Sequence, residues 1–154
     1  MYNICIRMVP IQVDAEDIVQ ESFVKAFNNL DSYRGDSTFG SWLKRIVINT
    51  SINHLKKKRQ WFVTFDELPM SIEDCSNNDL SEEESLNKIS PEMIHEAIKT
   101  LPVKARMVLN LYLLEGYLHR EIAEMLDISE STSKSQYQRA LKLLQEKLKK
   151  EIVN

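Results

Sequence analysis

The chain is predicted to be all-α, with two small helical domains joined by a flexible acidic linker, the second domain a helix-turn-helix. Three observations predict this. Only three glycines and four prolines occur in 154 residues, well under half the roughly 12% of average usage, so chain-breakers are too sparse for a turn-rich β fold. Apolar residues recur at helical spacing in both halves. The charge is partitioned: residues 1–63 carry nine Lys/Arg and six Asp/Glu, residues 64–96 one lysine and ten acids, and residues 97–154 ten basic and seven acidic residues. The net charge of −3 therefore conceals two basic lobes flanking an acidic stretch, an asymmetry that points to a polyanionic partner for the lobes. The divisions expected are residues 1–60, a linker over 61–89, and residues 90–150.

Residues 2–9, with Tyr2, Ile4, Ile6, Met8 and Val9, read as the tail of a helix. Asp14 is placed as the cap of the next, with Asp17 near its positive end. Ala15, Ile18, Val19, Ser22, Phe23, Ala26, Phe27 and Leu30 then mark one face as buried. Turn residues over 31–37 interrupt the pattern. A further helix starts near Ser37 or Thr38, runs through Trp42, expected in the core, and ends in the basic run Lys56-Lys57-Lys58-Arg59. Residues 61–89 are short of apolar groups and cannot bury enough surface to offset ordering entropy, hence a mobile tether.

The second lobe opens with Ser90-Pro91, serine as cap and proline at the first helical position. That helix stops near Leu101-Pro102. Another spans Val103 to Glu115 and ends at Gly116, suited to a left-handed residue. Leu118–Leu126, a tight connection through Asp127-Ile128-Ser129, and a long helix from Glu130 to about Lys150 complete the chain. A short helix, a brief turn and a longer basic helix form the helix-turn-helix layout. On the last helix Ser133, Tyr137, Leu141, Leu144 and Leu148 share the inward stripe. Ser131, Thr132, Ser135, Gln138, Arg139 and Lys142 point the opposite way, where a recognition helix meets bases and phosphates. An amphipathic helix with a merely solvated lysine face is the plainer alternative; the short helix before it favours DNA.

At these residues a resemblance emerges. Asp14 through Phe23, Tyr33-Arg34-Gly35-Asp36-Ser37-Thr38-Phe39, Trp42-Leu43, Ile46 and Asn49 resemble the promoter-opening domain of sigma-70 family RNA polymerase sigma factors, above all the extracytoplasmic function (ECF) subfamily. Leu101-Pro102, Arg106, Leu111-Tyr112, Glu115-Gly116-Tyr117, Glu121-Ile122-Ala123 and Arg139-Ala140 look like that subfamily's second domain. Family members usually begin some twenty residues earlier, so the first domain is expected to be N-terminally incomplete. The chain departs from the family in having Leu126-Asp127 for Leu-Gly, Ser131-Thr132-Ser133 for Gly-Thr-Val, and Leu118 for a small polar residue.

The resemblance implies a factor that binds core RNA polymerase through Asp17, Gln20 and Glu21. It implies contacts with the promoter −10 element from Arg34, Gly35, Ser37, Phe39, Lys44, Arg45, Asn49, Lys56, Lys57 and Arg59, with Lys58 also on phosphate. The −35 element falls to Ser131, Thr132, Lys134, Ser135, Gln138, Arg139 and Lys142. An unpaired base stacked on an aromatic side chain gains about 1–3 kcal/mol, comparable to the few kcal/mol of unstacking, so the −10 region can open without ATP. An anti-sigma factor is the further partner implied, and the linker would thread the polymerase's RNA exit path.

No run of apolar residues is long enough for a membrane span, and the opening residues do not read as a signal peptide, so membrane insertion is not expected and the cytoplasm is. Cys5 and Cys75 lack metal or redox spacing. His54, His95 and His119 lie in separate elements, so neither a metal nor another cofactor is expected, nor enzyme activity. A helix-turn-helix regulator acting on duplex DNA without polymerase, and an inactive remnant, are the competing readings.

Overall fold

The computed structural model describes residues 1–58 and 89–153, with side chains described to residue 151. The linker expected over 61–89 thus lies, save Ile89, outside the described residues, as does Arg59. The described elements are α1 (Tyr2–Met8), α2 (Gln12–Asn28), a 3-10 turn (Leu30–Ser32), α3 (Phe39–Lys57), α4 (Pro91–Lys99), α5 (Val103–Leu109) continuing into a π-helical turn (Asn110–Leu114), α6 (His119–Leu126) and α7 (Glu130–Val153).

Local chemistry accounts for the boundaries. Val9 is extended, as a residue before proline tends to be, and Pro10-Ile11 turns the chain from α1 into α2. Thr38 caps α3, its Oγ1 accepting from the Ser41 amide at 3.3 Å, and Ser90 caps α4 with Pro91 behind it, accepting from Met93 at 3.3 Å. In α6 the Glu121 carboxylate accepts from the Leu118 amide at 2.8 Å, half of a capping box. Gly116 has φ +78, the left-handed conformation expected after a helix.

Asp127 closes α6 at φ 57 and donates its amide to Ala123 O. A side chain with a Cβ is strained there, which is the physical reason for glycine at such a position. Asp127→Gly is expected to raise unfolding stability by about 1 kcal/mol, read as a higher urea midpoint at unchanged m-value; an unchanged or lower midpoint contradicts the assignment of strain.

Helix α2 meets α3 through small groups. Ala15, Ser22 and Ala26 are buried with Ile18, and Thr50 and Ser51 lie on the α3 side. The hydroxyls of Ser22, Thr50 and Ser51 donate to carbonyls four residues back, at 2.6, 2.9 and 2.9 Å, which removes the cost of burying them.

Three sequence expectations are corrected here. Asp14 does not cap α2, whose start lies two residues earlier at Ile11–Gln12. Its carboxylate instead turns to Lys58 at 2.5 Å and His54 at 3.4 Å, and the Lys58 hydrogen bond holds it below the ordinary aspartate range. Phe23, Phe27 and Leu30 are not buried: Phe27 is 73% exposed, because the face of α2 that meets α3 is the small-residue one. Trp42 is only half-buried and stands in a surface aromatic group.

The two halves do not stand apart. Cys5, Met8, Val9, Val47, Ile48 and Leu55 share one buried cluster with Met107, Val108, Leu111, Ile122 and Leu126. A smaller cluster of Ile98, Leu101, Ala105, Leu109 and Ala140 seats α7 on α4 and α5. Burying a Leu, Ile or Met side chain contributes about 1.5–3 kcal/mol, so the joint core is a large share of what holds the halves together. Polar contacts reinforce it. Arg106 Nε donates to Met8 O at 3.2 Å, and Asn110 Nδ2 to Arg7 O at 3.1 Å.

Candidate nucleic-acid and protein-docking faces

The π-helical turn after α5 governs where Glu115 points. Its extra residue per turn, with Glu115 N donating to Asn110 O at 3.1 Å, re-aims the end of the helix. The Glu115 carboxylate thereby reaches the first half, pairing with Arg7 at 3.1 Å and Lys44 at 3.0 Å while the side chain is 4% exposed. Lys44, expected on phosphate, is occupied by this carboxylate. Glu115 carried no sequence signal beyond its place in a family motif.

On α3 part of the set expected at the −10 element, Phe39, Arg45 and Asn49, falls within the first three turns of the helix. Phe39 and Trp42 open the helix, ring centroids 5.6 Å apart, and Tyr33 lies 5.7 Å from Phe39 and 5.4 Å from Trp42. Tyr33 also donates its hydroxyl to Ser37 O at 2.6 Å, folding back the exposed loop of Arg34, Gly35 (φ +77) and Ser37. Trp42, Arg45 and Asn49 follow at i, i+3 and i+7, hence on one face, with Arg45 and Asn49 exposed. The arrangement is an open aromatic platform beside a guanidinium and a free amide, suited to an unpaired base and its phosphate. Tyr33 and Trp42, not among the residues expected at the −10 element, join Phe39 in this platform, and their spacing around Phe39 signals it.

Lys56 and Lys57, with Glu21, Lys25, Thr50, Asn53 and His54, line a shallow groove between α2 and α3. Glu21 is drawn to that side by Lys25, 2.6 Å away, and the Lys25 hydrogen bond depresses its pKa. Asp17 and Gln20 are exposed on the outer face of α2, beside Val13, Val24 and Phe27, all more than half exposed. An apolar strip flanked by an acid and an amide is fitted to a partner helix with basic edges. The apolar members escaped the sequence reading, which assigned Phe27 to the core.

Helix α7 presents most, not all, of the face expected to point outward. Ser131, Lys134, Ser135, Gln138 and Lys142 are exposed, Thr132 and Arg139 half-buried, and Ser133 fully buried. Ser129 caps this helix, accepting from the Thr132 amide at 3.0 Å, and its hydroxyl lies 2.9 Å from that of Ser131 and 2.7 Å from that of Thr132. Ser135 donates to Thr132 O at 3.0 Å, and Lys134 pairs with Glu130 at 2.8 Å. Among the described residues Gln138, Arg139 and Lys142 keep their polar heads unengaged. No helix among the described residues is long and apolar enough to cross a membrane, and no three metal-binding side chains converge there.

Comparison with known proteins agrees with this layout. The family model for sigma-70 region 2 matches residues 1–61 and that for sigma-70 region 4 matches residues 92–144. The ECF RNA polymerase sigma-E factor of Salmonella typhimurium is 34% identical over 148 residues, covering 92% of this chain and 77% of the relative. That of Haemophilus influenzae is 33% identical over 144 residues, covering 88% and 75%. Among solved structures, the sigma factor RpoE of Bartonella quintana, in complex with the anti-sigma factor NepR, shares the fold with a TM-score of 0.62 at 23% identity, covering 96% of this chain and 89% of that one.

Proposed function

The chain belongs to the sigma-70 family, as an ECF RNA polymerase sigma factor, and from that premise we propose a division of labour among its faces. The outer face of α2, with Asp17 and Gln20 around Val13, Val24 and Phe27, docks on core polymerase. The Tyr33–Phe39–Trp42 platform with Arg45 and Asn49 takes the opened −10 strand, and the outward face of α7 reads the −35 element in the major groove. The observation that carries this is the pairing of a base-stacking platform on α3 with a polar, cationic recognition face on α7. A regulator of duplex DNA alone has no use for the platform.

Geometry adds a requirement. Elements centred at −10 and −35 lie about 25 base pairs apart, roughly 85 Å at 3.4 Å per step. Lys44 is 3.0 Å from Glu115, and Tyr112, three residues before Glu115, rests against Tyr137 of α7 at 4.7 Å. The two DNA-reading faces are thus far closer together than the two elements, so the halves part when both are engaged. Residues 59–88 have a contour length of about 100 Å, enough to bridge the gap. An anti-sigma partner fits the same scheme, as a protein that stabilises the halves together, and the cytoplasm is where such a factor would work.

The test uses holoenzyme reconstituted from this chain and bacterial core polymerase in run-off transcription. Promoter-dependent initiation is expected; none on any −35/−10 template, with polymerase binding intact, overturns the assignment. Arg139→Ala is expected to lose about 5–150-fold of discrimination at one −35 position, the 1–3 kcal/mol of a bidentate guanine contact, with core affinity unchanged. A loss of core affinity instead contradicts the division of labour.

A further inference from the structure

Ser133 faces inward on the recognition helix and is completely buried, a position where a hydroxyl costs free energy unless it is paired. Its partner is His119, the first residue of α6: Nδ1 and Ser133 Oγ share a hydrogen bond of 2.9 Å. The same imidazole stacks on Tyr112 of the π-helical turn, centroids 4.2 Å apart and planes 12° from parallel. Tyr137, one turn beyond Ser133, closes on both rings, 4.7 Å from Tyr112 and 5.7 Å from His119. The desolvation of its site, with Lys134 nearby, lowers the pKa of His119, so the ring is neutral at pH 7.

We infer that His119 is a positioning residue for −35 recognition, setting the rotation of α7 about its axis through its hydrogen bond to Ser133 and its stack on Tyr112. Three elements meet at this ring: the π-helical turn, α6 and α7. Leucine and alanine contacts along α7 allow a helix to roll by some degrees, because apolar packing is non-directional. A hydrogen bond to a buried hydroxyl is directional and weakens steeply off line. Ser133 lies within two residues of Ser131, Thr132, Lys134 and Ser135 and five of Gln138, so a roll at Ser133 moves each of them relative to the base edges. Specific contacts need that register; phosphate contacts from long cationic side chains tolerate its loss.

The inference rests on the −35 reading proposed for α7, and the experiment separates the two. Holoenzyme carrying the parent chain or a variant is offered promoter templates with a randomised −35 hexamer, and the transcribed sequences are counted. The parent is expected to select a defined motif. His119→Phe keeps an aromatic ring but leaves the Ser133 hydroxyl unpaired, and Ser133→Ala removes the hydroxyl from the other side. Each is expected to cut discrimination against single wrong bases by about 5–10-fold across the motif. His119→Asn, whose amide places a hydrogen-bonding atom where Nδ1 stands, is expected to stay within about twofold of the parent. Variants that lower yield and unfolding midpoint but select the parental motif at parental discrimination overturn the inference, as does an asparagine variant no better than phenylalanine. No motif selected by the parent overturns the −35 reading itself, and this inference with it.

Discussion

Exchanging Arg106 for methionine is expected to lower the unfolding free energy by about 3–5 kcal/mol, the combined loss of three hydrogen bonds from a charged donor at roughly 1–3 kcal/mol each. The guanidinium is almost fully buried and donates to three carbonyls: Met8 O at 3.2 Å, Lys99 O at 2.9 Å and Leu101 O at 3.1 Å. The last turn of α1 and the end of α4 thereby have their unpaired oxygens satisfied by one side chain. Burial lowers the Arg106 pKa to about 10, still far above neutrality, so the group works as a full cation at pH 7. Methionine has a similar length and no donor, which leaves the Met8 and Leu101 oxygens buried and unpaired and takes the donor from the Lys99 oxygen. Arg106→Lys retains the charge but lacks the fork that reaches separate carbonyls, and is expected to fall between the two. Urea unfolding at constant m-value measures both. A methionine variant within about 1 kcal/mol of the parent removes Arg106 from its place as the link between the halves.

The second large effect concerns polymerase. Asp17→Arg is expected to weaken binding to core polymerase by about 100-fold or more, because a charge-assisted hydrogen bond is lost and a like charge faces the partner in its place. Asp17 is exposed and has no partner among the described residues, so the fold is untouched and the unfolding midpoint should not move. Glu21 provides the contrast. Its carboxylate is engaged with Lys25, and Glu21→Ala is expected to cost no more than about fivefold, of the size of a surface pair. Equilibrium titration of labelled core polymerase reads both, and full affinity in the Asp17→Arg holoenzyme removes this face of α2 from the interface.

Both predictions turn on residues whose importance the sequence conveys unequally. Asp17 is recognisable from its place in a motif and from the pattern of α2. Arg106 is recognisable as a motif residue, but nothing near it says that its side chain ends on the backbone of Met8, 98 positions earlier. Asp14 shows the limit from another direction: an acid two residues inside a helix start resembles a cap, and only the packing of α3 shows that Lys58 and His54 claim it. Phe27 shows a third. Apolar periodicity reports that a face avoids water but not whether this chain or another covers it.

What the sequence determined by itself is the helical architecture, a helix start near Ser37 or Thr38, the cap at Ser90, the left-handed stop at Gly116, the helix-turn-helix and the kinship with sigma factors. Those features are encoded within a few residues of one another, where backbone preference, capping and side-chain period act directly. What only the tertiary structure decided is the joining of the halves, the clasp of Glu115 on Arg7 and Lys44 across 108 and 71 positions, and the seat of His119 against Ser133. Contacts between residues so distant depend on which helix faces meet and at what angle, and that is settled by the packing of the whole core.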